Sequence, residues 1–399
     1  MITRIALSAA RRMLAGNYVL ALIGPRQAGK TTLARLLMPE RPYVSLEDPD
    51  VRARAHEDPR GLLAELPEGG ILDEVQHCPA LLSYLQTWVD ARRQPGEWII
   101  TGSNQFSLHQ ATVQSLAGRV GLLTLLPLAW PELQQAGLAP ATWEQAVLTS
   151  AFPPLYDRPL EPAAWLRDYL ATYVERDVRL AHNIQNLAAF RRFLGLCAGR
   201  TGQLLNLAAL GADAGIDQRT ARTWLTLLET SFLVTVLPPY FRNPNQRLVK
   251  TPKLYFTDAG LAASLLGVRE VGQLHSHPLR GALFETWVVA ELLKAAYNRG
   301  ESPGLSFYRT RDGLEVDLIA ETPQGLHAIE LKSGATVASD FFDAFAPLRH
   351  QLDGKSPPLV GTWLVYGGER AEHRPQARVL PWAQIGELGA ALTGLPPAD

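Results

Sequence analysis

Apolar residues change their rhythm along this chain, and the changes divide it into regions. Up to about residue 126 they form short continuous runs at residues 18–23, 43–46, 69–72, 98–100 and 122–126, each bounded by glycine, proline or polar clusters. Runs of that length read as strands buried on both faces of a parallel sheet. Between them the period lengthens: residues 5–14 predict a helix with Arg11 and Arg12 exposed, and residues 31–38 another, stopped by Pro39. Residues 127–179, rich in helix formers, prolines and aromatics, predict a helical lid. Two short helices follow, 206–214 and 218–230, around Gly215-Ile216-Asp217, with Asp217 as the second N-cap. Strands are expected at 232–237 and 253–256, on either side of a loop holding Pro238, Pro239, Asn243, Pro244 and Asn245. The last third predicts a helix at 281–297, strands at 305–308, 314–319 and 327–332, a helix near 340–348 and a strand at 359–366. The fold class is α/β.

The first strand runs into Gly24-Pro25-Arg26-Gln27-Ala28-Gly29-Lys30-Thr31-Thr32, where Gly24, Gly29, Lys30 and Thr31 fill the G-x-x-x-x-G-K-[ST] spacing of a phosphate-binding loop. Glycines let backbone N–H groups turn inward toward phosphate oxygens, and the following helix adds its positive end. Lys30 would reach the β- and γ-phosphates of ATP, and the Thr31 hydroxyl would ligate Mg²⁺. The third run ends in Asp73-Glu74, the form of a Walker B element. Asp73 would hold Mg²⁺, and Glu74 would polarise the attacking water. The run at 98–100 ends in Thr101, Ser103 and Asn104, which would face the same crevice from a parallel sheet; Ser103 and Asn104 are candidate nucleotide contacts. Arg119 is a candidate charge-stabilising arginine, acting in its own or a neighbouring subunit.

Composition narrows the partners. The 399 residues are 47% apolar and 19% charged with net charge −1, so two or three globular domains are expected and any nucleic-acid surface must be local. Cys78 and Cys197 form no disulfide framework and suit a reducing cytosol. No apolar run is long enough for a membrane span. The basic, acid-free first 39 residues have a transit-peptide bias, but the first strand begins too early to leave a removable segment, so a cytoplasmic protein is expected.

The wording Gly-Pro-Arg-Gln-Ala-Gly-Lys-Thr-Thr, Ile-Leu-Asp-Glu-Val-Gln, Ile-Thr-Gly-Ser-Asn, Leu-Ala-Gly-Arg and Pro-Leu-Ala-Trp-Pro-Glu-Leu resembles the prokaryotic AAA-type ATPases that carry a DUF4143 domain. That resemblance spans nearly the whole chain. It implies a sheet with one strand inserted between the P-loop and Walker B strands, which spacing alone does not reveal. It also implies a homo-oligomer or ring, in which Arg119 would act across an interface.

Two further groups bear on what the ATPase serves. Helix, glycine turn, helix and hairpin make a winged-helix reading of the middle segment. Its cations Arg219, Arg222, Arg242, Arg247, Lys250 and Lys253 face one acid, Glu229, within residues 218–253, a candidate phosphate-facing patch for nucleic acid. In the last third, period two aligns Glu315 with Asp317 on one strand and Glu330 with Lys332 on another. With Glu285 on the preceding helix, this set resembles the PD-(D/E)xK nuclease fold. The resemblance implies metal ligation by Asp317 and Glu330, an extra acid at Glu285, and a water-activating Lys332; Val316 stands where the fold's name has proline. The expected organisation is an ATPase core (1–130), a helical lid (131–185), a winged-helix domain (186–270) and a nuclease-like domain (271–399). The leading reading is an Mg²⁺-dependent ATPase acting on nucleic acid. The competing one is a nucleotide-switched signalling ATPase whose appended domains only bind.

Overall fold

Strand β1 (Val19–Ile23) is buried at every position, with strands on both edges and helical side chains packed against Leu20 and Leu22. The computed structural model describes residues 2–103, 116–173, 184, 186–240, 250–354 and 356–394. They fall into two units: Met1–Leu128 with Thr230–Phe232 and Ala296–Ser302, and Ala129–Glu229 with Leu233–Ala295 and Pro303–Asp399.

The first unit holds a five-stranded sheet. β2 (Tyr43–Ser45), β3 (Gly70–Asp73), β4 (Trp98–Gly102) and β5 (Val120–Thr124) join β1 in the order β2-β3-β4-β1-β5, every pair parallel. β4 therefore lies between the P-loop strand and the Asp73 strand, as the family resemblance implied. Helices Ala6–Gly16 and Lys30–Leu37 pack Ala6, Ala9, Ala10, Leu33 and Ala34 onto Leu20, Leu22, Ile71, Ile99 and Leu123. Full burial of each large apolar side chain contributes roughly 1.5–3 kcal/mol, and this core sets the sheet beneath the loop. Parallel strands open their carboxyl ends along one edge, so Gly24, Glu74 and Ser103 emerge on the same side.

The second unit contains both later segments. Helices Leu207–Ala214 and Gln218–Thr230 meet at Gly215, which is left-handed at φ 72°. Asp217 accepts from Arg219 N at 2.9 Å and Thr220 N at 3.0 Å, the cap expected of it. Beside them stands a small antiparallel sheet, β6 (Gln203–Leu204), β7 (Val234–Leu237) and β8 (Lys253–Phe256), in the order β6-β8-β7. A six-stranded mixed sheet follows: β9 (Leu305–Arg309), β10 (Glu315–Thr322), β11 (Gly325–Lys332), β12 (Leu359–Tyr366), β13 (Glu372–His373) and β14 (Arg378–Pro381), ordered β13-β14-β12-β11-β10-β9. The two sheets are stitched by main chain, Tyr240 N donating to Phe307 O at 2.7 Å and Phe307 N to Pro238 O at 3.1 Å. Trp130, Trp287 and Trp382 meet edge to face or tilted, with centroids 4.7 to 5.7 Å apart.

One boundary differs from expectation. The helix anticipated near 340–348 is a short 3-10 turn at Ser339–Phe342 followed by a helix at Phe345–Leu352. Pro347 explains the shift: it has no N–H to donate and is tolerated only in a helix's first turn, so the helix must begin just before it.

Candidate active sites

The loop after β1 has the backbone its sequence requires. Gly24 has φ 152°, and a Cβ there would lie 2.0 Å from Leu125 O; Gly29 caps the next helix in the left-handed region at φ 93°. Gln27 is also left-handed at φ 64°, a strained conformation for a side-chain-bearing residue. Pro25 and Ala28 are buried, while Gln27 and Thr32 face solvent. Lys30 is 5% exposed, and its ammonium donates to Gly24 O at 3.0 Å and Pro25 O at 2.8 Å, curled over the loop it serves. Arg26 pairs with Glu47 at 3.1 Å. Sequence reasoning missed Arg4, which no motif marks: it is buried and ties the loop to the end of β5, donating to Ala28 O and Leu126 O at 2.7 Å each.

Asp73 and Glu74 end β3 as expected, with surroundings that spacing could not supply. Thr31 Oγ1 lies 3.1 Å from both Asp73 oxygens, Tyr43 donates to Oδ2 at 2.6 Å, and Thr101 donates to Oδ1. Glu74 is left-handed at φ 56°, and its N–H donates to Thr101 Oγ1 at 3.0 Å. Its carboxylate accepts from Ser103 Oγ at 3.1 Å and from the Gln76 amide. Burial alone would push the Glu74 carboxyl up, but Lys30, the Gln76 amide, Arg26 and Ser103 together hold it below its ordinary value. Burial, followed by the bond to Asp73, pushes Tyr43 up to about 12. Hard oxygen donors at Thr31 and Asp73, beside a buried lysine, suit Mg²⁺ and a polyphosphate. Asn104 lies outside the described residues.

In the second unit the expected acidic set does converge, with additions. Asp317 Oδ2 accepts Leu331 N at 2.8 Å and lies 3.5 Å from Lys332 Nζ, which bonds Glu330 Oε2 at 2.7 Å. Glu285 accepts from the Tyr255 hydroxyl and pairs with Lys253 at 3.4 Å; Lys253 also reaches Glu315 at 2.8 Å. Burial first, then the Asp317 charge, pushes both Glu285 and Glu330 up to about 7 against their lysines. Glu330 Oε1 is buried without a hydrogen-bond partner among the described residues, an atom suited to a cation or water. Among those residues no three acidic, histidine or cysteine side chains form a ready metal cage. Mg²⁺ commonly needs only one or two carboxylates plus substrate phosphates, so the donor set fits it in that form.

Family comparison matches the chain in three blocks: an AAA domain (AAA_14) at residues 16–134, a domain of unknown function (DUF8612) at 140–271, and another (DUF4143) at 280–385. Two curated relatives, the uncharacterized proteins Rv2008c of Mycobacterium tuberculosis and Mb2031c of Mycobacterium bovis, are each 33% identical over 327 residues, 82% of this chain and 73% of theirs. The chain belongs to the AAA-type P-loop ATPases with a carboxyl-terminal DUF4143 domain. It is an ATPase. Among solved structures, the Walker-type ATPase PABY2304 of Pyrococcus abyssi is similar at TM-score 0.42 and 14% identity, over 65% of this chain and 94% of that one. The ADP form of the Aeropyrum pernix ORC2 protein reaches TM-score 0.28 at 16% identity, over 58% and 86%. Likenesses that distant carry no argument about this ATPase.

The structure narrows the alternatives for Arg119 and corrects the expectation for Lys253. Arg119 does not serve the P-loop of its own chain. Its carbonyl accepts Val19 N, at the amino end of β1, whereas the phosphate loop leaves the carboxyl end. Five residues at about 3.3 Å each separate the two ends. The guanidinium is instead forked onto Asp90, with Nη2 2.9 Å from Oδ2, and donates to Ala117 O at 2.9 Å. Lys253, expected in the phosphate-facing patch, is the correction. Only 4% exposed, with Glu285 and Glu315 beside it, it cannot meet a phosphate backbone on the surface. Arg219 and Arg222 are exposed on the outer side of a helix that buries Ala221, Trp224, Leu225, Leu227 and Leu228, and Lys250 is exposed too. Arg242 and Arg247 lie outside the described residues. No described helix is long and apolar enough to cross a membrane.

Proposed function

We propose that this ATPase hydrolyses ATP with Mg²⁺ and uses the cycle to act on nucleic acid, with its DUF4143 segment as a metal-dependent phosphodiesterase module. The observation that carries the nucleic-acid reading is the convergence of Glu285, Asp317, Glu330, Lys332 and Lys253 within one unit. Such a carboxylate–lysine set is the chemistry of phosphodiester cleavage, and a signalling switch has no need of it. The exposed Arg219 and Arg222 at the start of the second helix, where groove contacts are usual, support the same reading. The helix pair and β6–β8 then form a winged helix.

In the nucleotide site, Lys30 would bind the β- and γ-phosphates, and Thr31 and Asp73 would hold Mg²⁺, which neutralises charge on the transferring phosphoryl group. Glu74 would take a proton from the attacking water as its oxygen bonds to the γ-phosphorus. The bond to the β–γ bridging oxygen then breaks, and ADP and phosphate leave. At the second centre Asp317 and Glu330 would hold a divalent cation, which polarises a phosphodiester and its attacking water. Lys332 would orient that water, and Lys253 and Tyr255 would hold Glu285 in place. Assembly into a homo-oligomer would give Arg119 a nucleotide on a neighbouring subunit, once released from Asp90.

The test is cleavage of single- and double-stranded DNA with Mg²⁺ or Mn²⁺, comparing wild type with Asp317→Ala and Lys332→Ala. Wild-type cutting lost in both variants is expected. No cutting by wild type would reduce the module to a binding platform, the competing signalling reading, and equal cutting by the variants would refute the roles given to Asp317 and Lys332.

A further inference from the structure

The Asp73 carboxylate receives three hydroxyls, and one of them comes from an unexpected direction. Thr31 belongs to the phosphate loop and Thr101 to β4, both neighbours that the nucleotide-site pattern supplies. Tyr43 comes from β2, the edge strand on the far side of β3, and its bond to Oδ2 is short at 2.6 Å, within the range of a hydroxyl donating to an ionised carboxylate. The ring is itself held: the Arg35 guanidinium stands 4.0 Å above its centroid. Arg35 lies on helix Lys30–Leu37, which also carries Thr31. Tyr43 thus links the helix bearing one oxygen donor to the strand bearing the other.

We infer that Tyr43 is a positioning residue for the divalent cation of the ATPase site, acting through Asp73. The inference rests on the proposal that Thr31 and Asp73 hold Mg²⁺. A hydroxyl that ligates a cation uses a lone pair and keeps its proton for Asp73, but Thr31 has one proton to share between two oxygens that each lie 3.1 Å away, so it fixes neither firmly. Tyr43 and Thr101 are then the groups that keep the two Asp73 oxygens aimed, one donor on each. Hydrogen bonds from a neutral hydroxyl to a carboxylate are charge-assisted and directional, so removing one frees the carboxylate to rotate. Partners of this kind typically contribute tenfold to a hundredfold to metal affinity.

Tyr43→Phe removes one oxygen and keeps the ring, its burial and the Arg35 contact. The measurement is the ADP-dependent part of Mn²⁺ binding, read from the electron paramagnetic resonance signal of free Mn²⁺, beside ADP affinity in EDTA and the thermal midpoint. The expected result is Mn²⁺ affinity weakened about tenfold, with EDTA affinity and thermal midpoint unchanged. Arg35→Met, which keeps the hydroxyl and frees the ring, should weaken Mn²⁺ by roughly threefold. Mn²⁺ affinity within twofold of wild type in Tyr43→Phe would overturn the inference. So would an equal loss of ADP affinity in EDTA, which would make Tyr43 merely structural. The underlying metal reading fails separately, if Asp73→Asn leaves ADP-dependent Mn²⁺ binding intact.

Discussion

Glu74→Gln isolates the chemistry from the binding at the ATPase site. The side chain keeps its length and shape, and the surroundings can accept the change. Glu74 now takes hydrogen bonds from Gln76 and Ser103, and Gln76 Oε1 is buried without a partner among the described residues. Rotating the Gln76 amide would offer that oxygen to the new NH2 group, so little stability should be lost. What disappears is the proton acceptor. General-base catalysis contributes about 10²–10⁴-fold, equivalent to roughly 3–5 kcal/mol of barrier. ATP affinity, measured with a fluorescent analogue, should stay within about threefold of wild type, while phosphate release falls by at least about a hundredfold. Turnover within tenfold of wild type would assign the base elsewhere. The pH profile is a second check. Lys30, Gln76, Arg26 and Ser103 outweigh burial and depress the Glu74 carboxyl, so it is ionised throughout the neutral range. Its contribution to stability is therefore present above the ordinary carboxylate value and lost only as pH falls through the lower folded value. The wild-type rate should show no protonation limb from this group between about pH 6 and 8; a limb there that Glu74→Gln abolishes would contradict the depressed value.

Further outcomes follow from other contacts. Lys30→Ala should abolish detectable ATP binding in the same fluorescence assay, since it removes the buried ammonium at the phosphate loop. Arg4→Met should cost about 3 kcal/mol in urea unfolding, because Ala28 O and Leu126 O each lose a charged donor; ATP affinity should fall with it as the loop loosens. The Arg219→Ala/Arg222→Ala pair should weaken DNA binding and flatten the log–log salt slope by roughly 2, and an unchanged slope would remove this helix from the interface. Lys253→Met should destabilise the second unit without changing that slope, because its charge is spent on Glu285 and Glu315 and does not face solvent.

The phosphate loop and the Asp73-Glu74 strand end were legible because their constraints are local. A tight turn needs glycine where a Cβ would strike Leu125 O, and Lys30 and Thr31 open the helix immediately after the left-handed Gly29. The acids of the second centre were legible in part for a similar reason, since alternation puts Glu315 and Asp317 on one face of β10 and Glu330 and Lys332 on one face of β11, while the pairing of the two strands brings Asp317 to Lys332. The helix Gln218–Thr230 and its Asp217 cap were expected, and it carries Arg219 and Arg222 on its exposed side.

Strand order and long-range pairing decided the rest. Only the tertiary structure inserts β4 between β1 and β3, which lets Thr101 reach Asp73 and Ser103 reach Glu74. It sends Arg119 to the amino end of the sheet, away from its own nucleotide site, although its sequence neighbourhood read as nucleotide-facing. It turns Lys253 from a surface cation into a buried partner of two glutamates, a change of role that charge counting cannot detect because burial is not written in composition. The sequence alone determined which groups stand at the turns and on the strand faces as candidates for phosphate chemistry, since turns and alternation are set within a few residues. The structure determined which of those groups meet, because that depends on sheet order and on side chains brought together from distant parts of the chain.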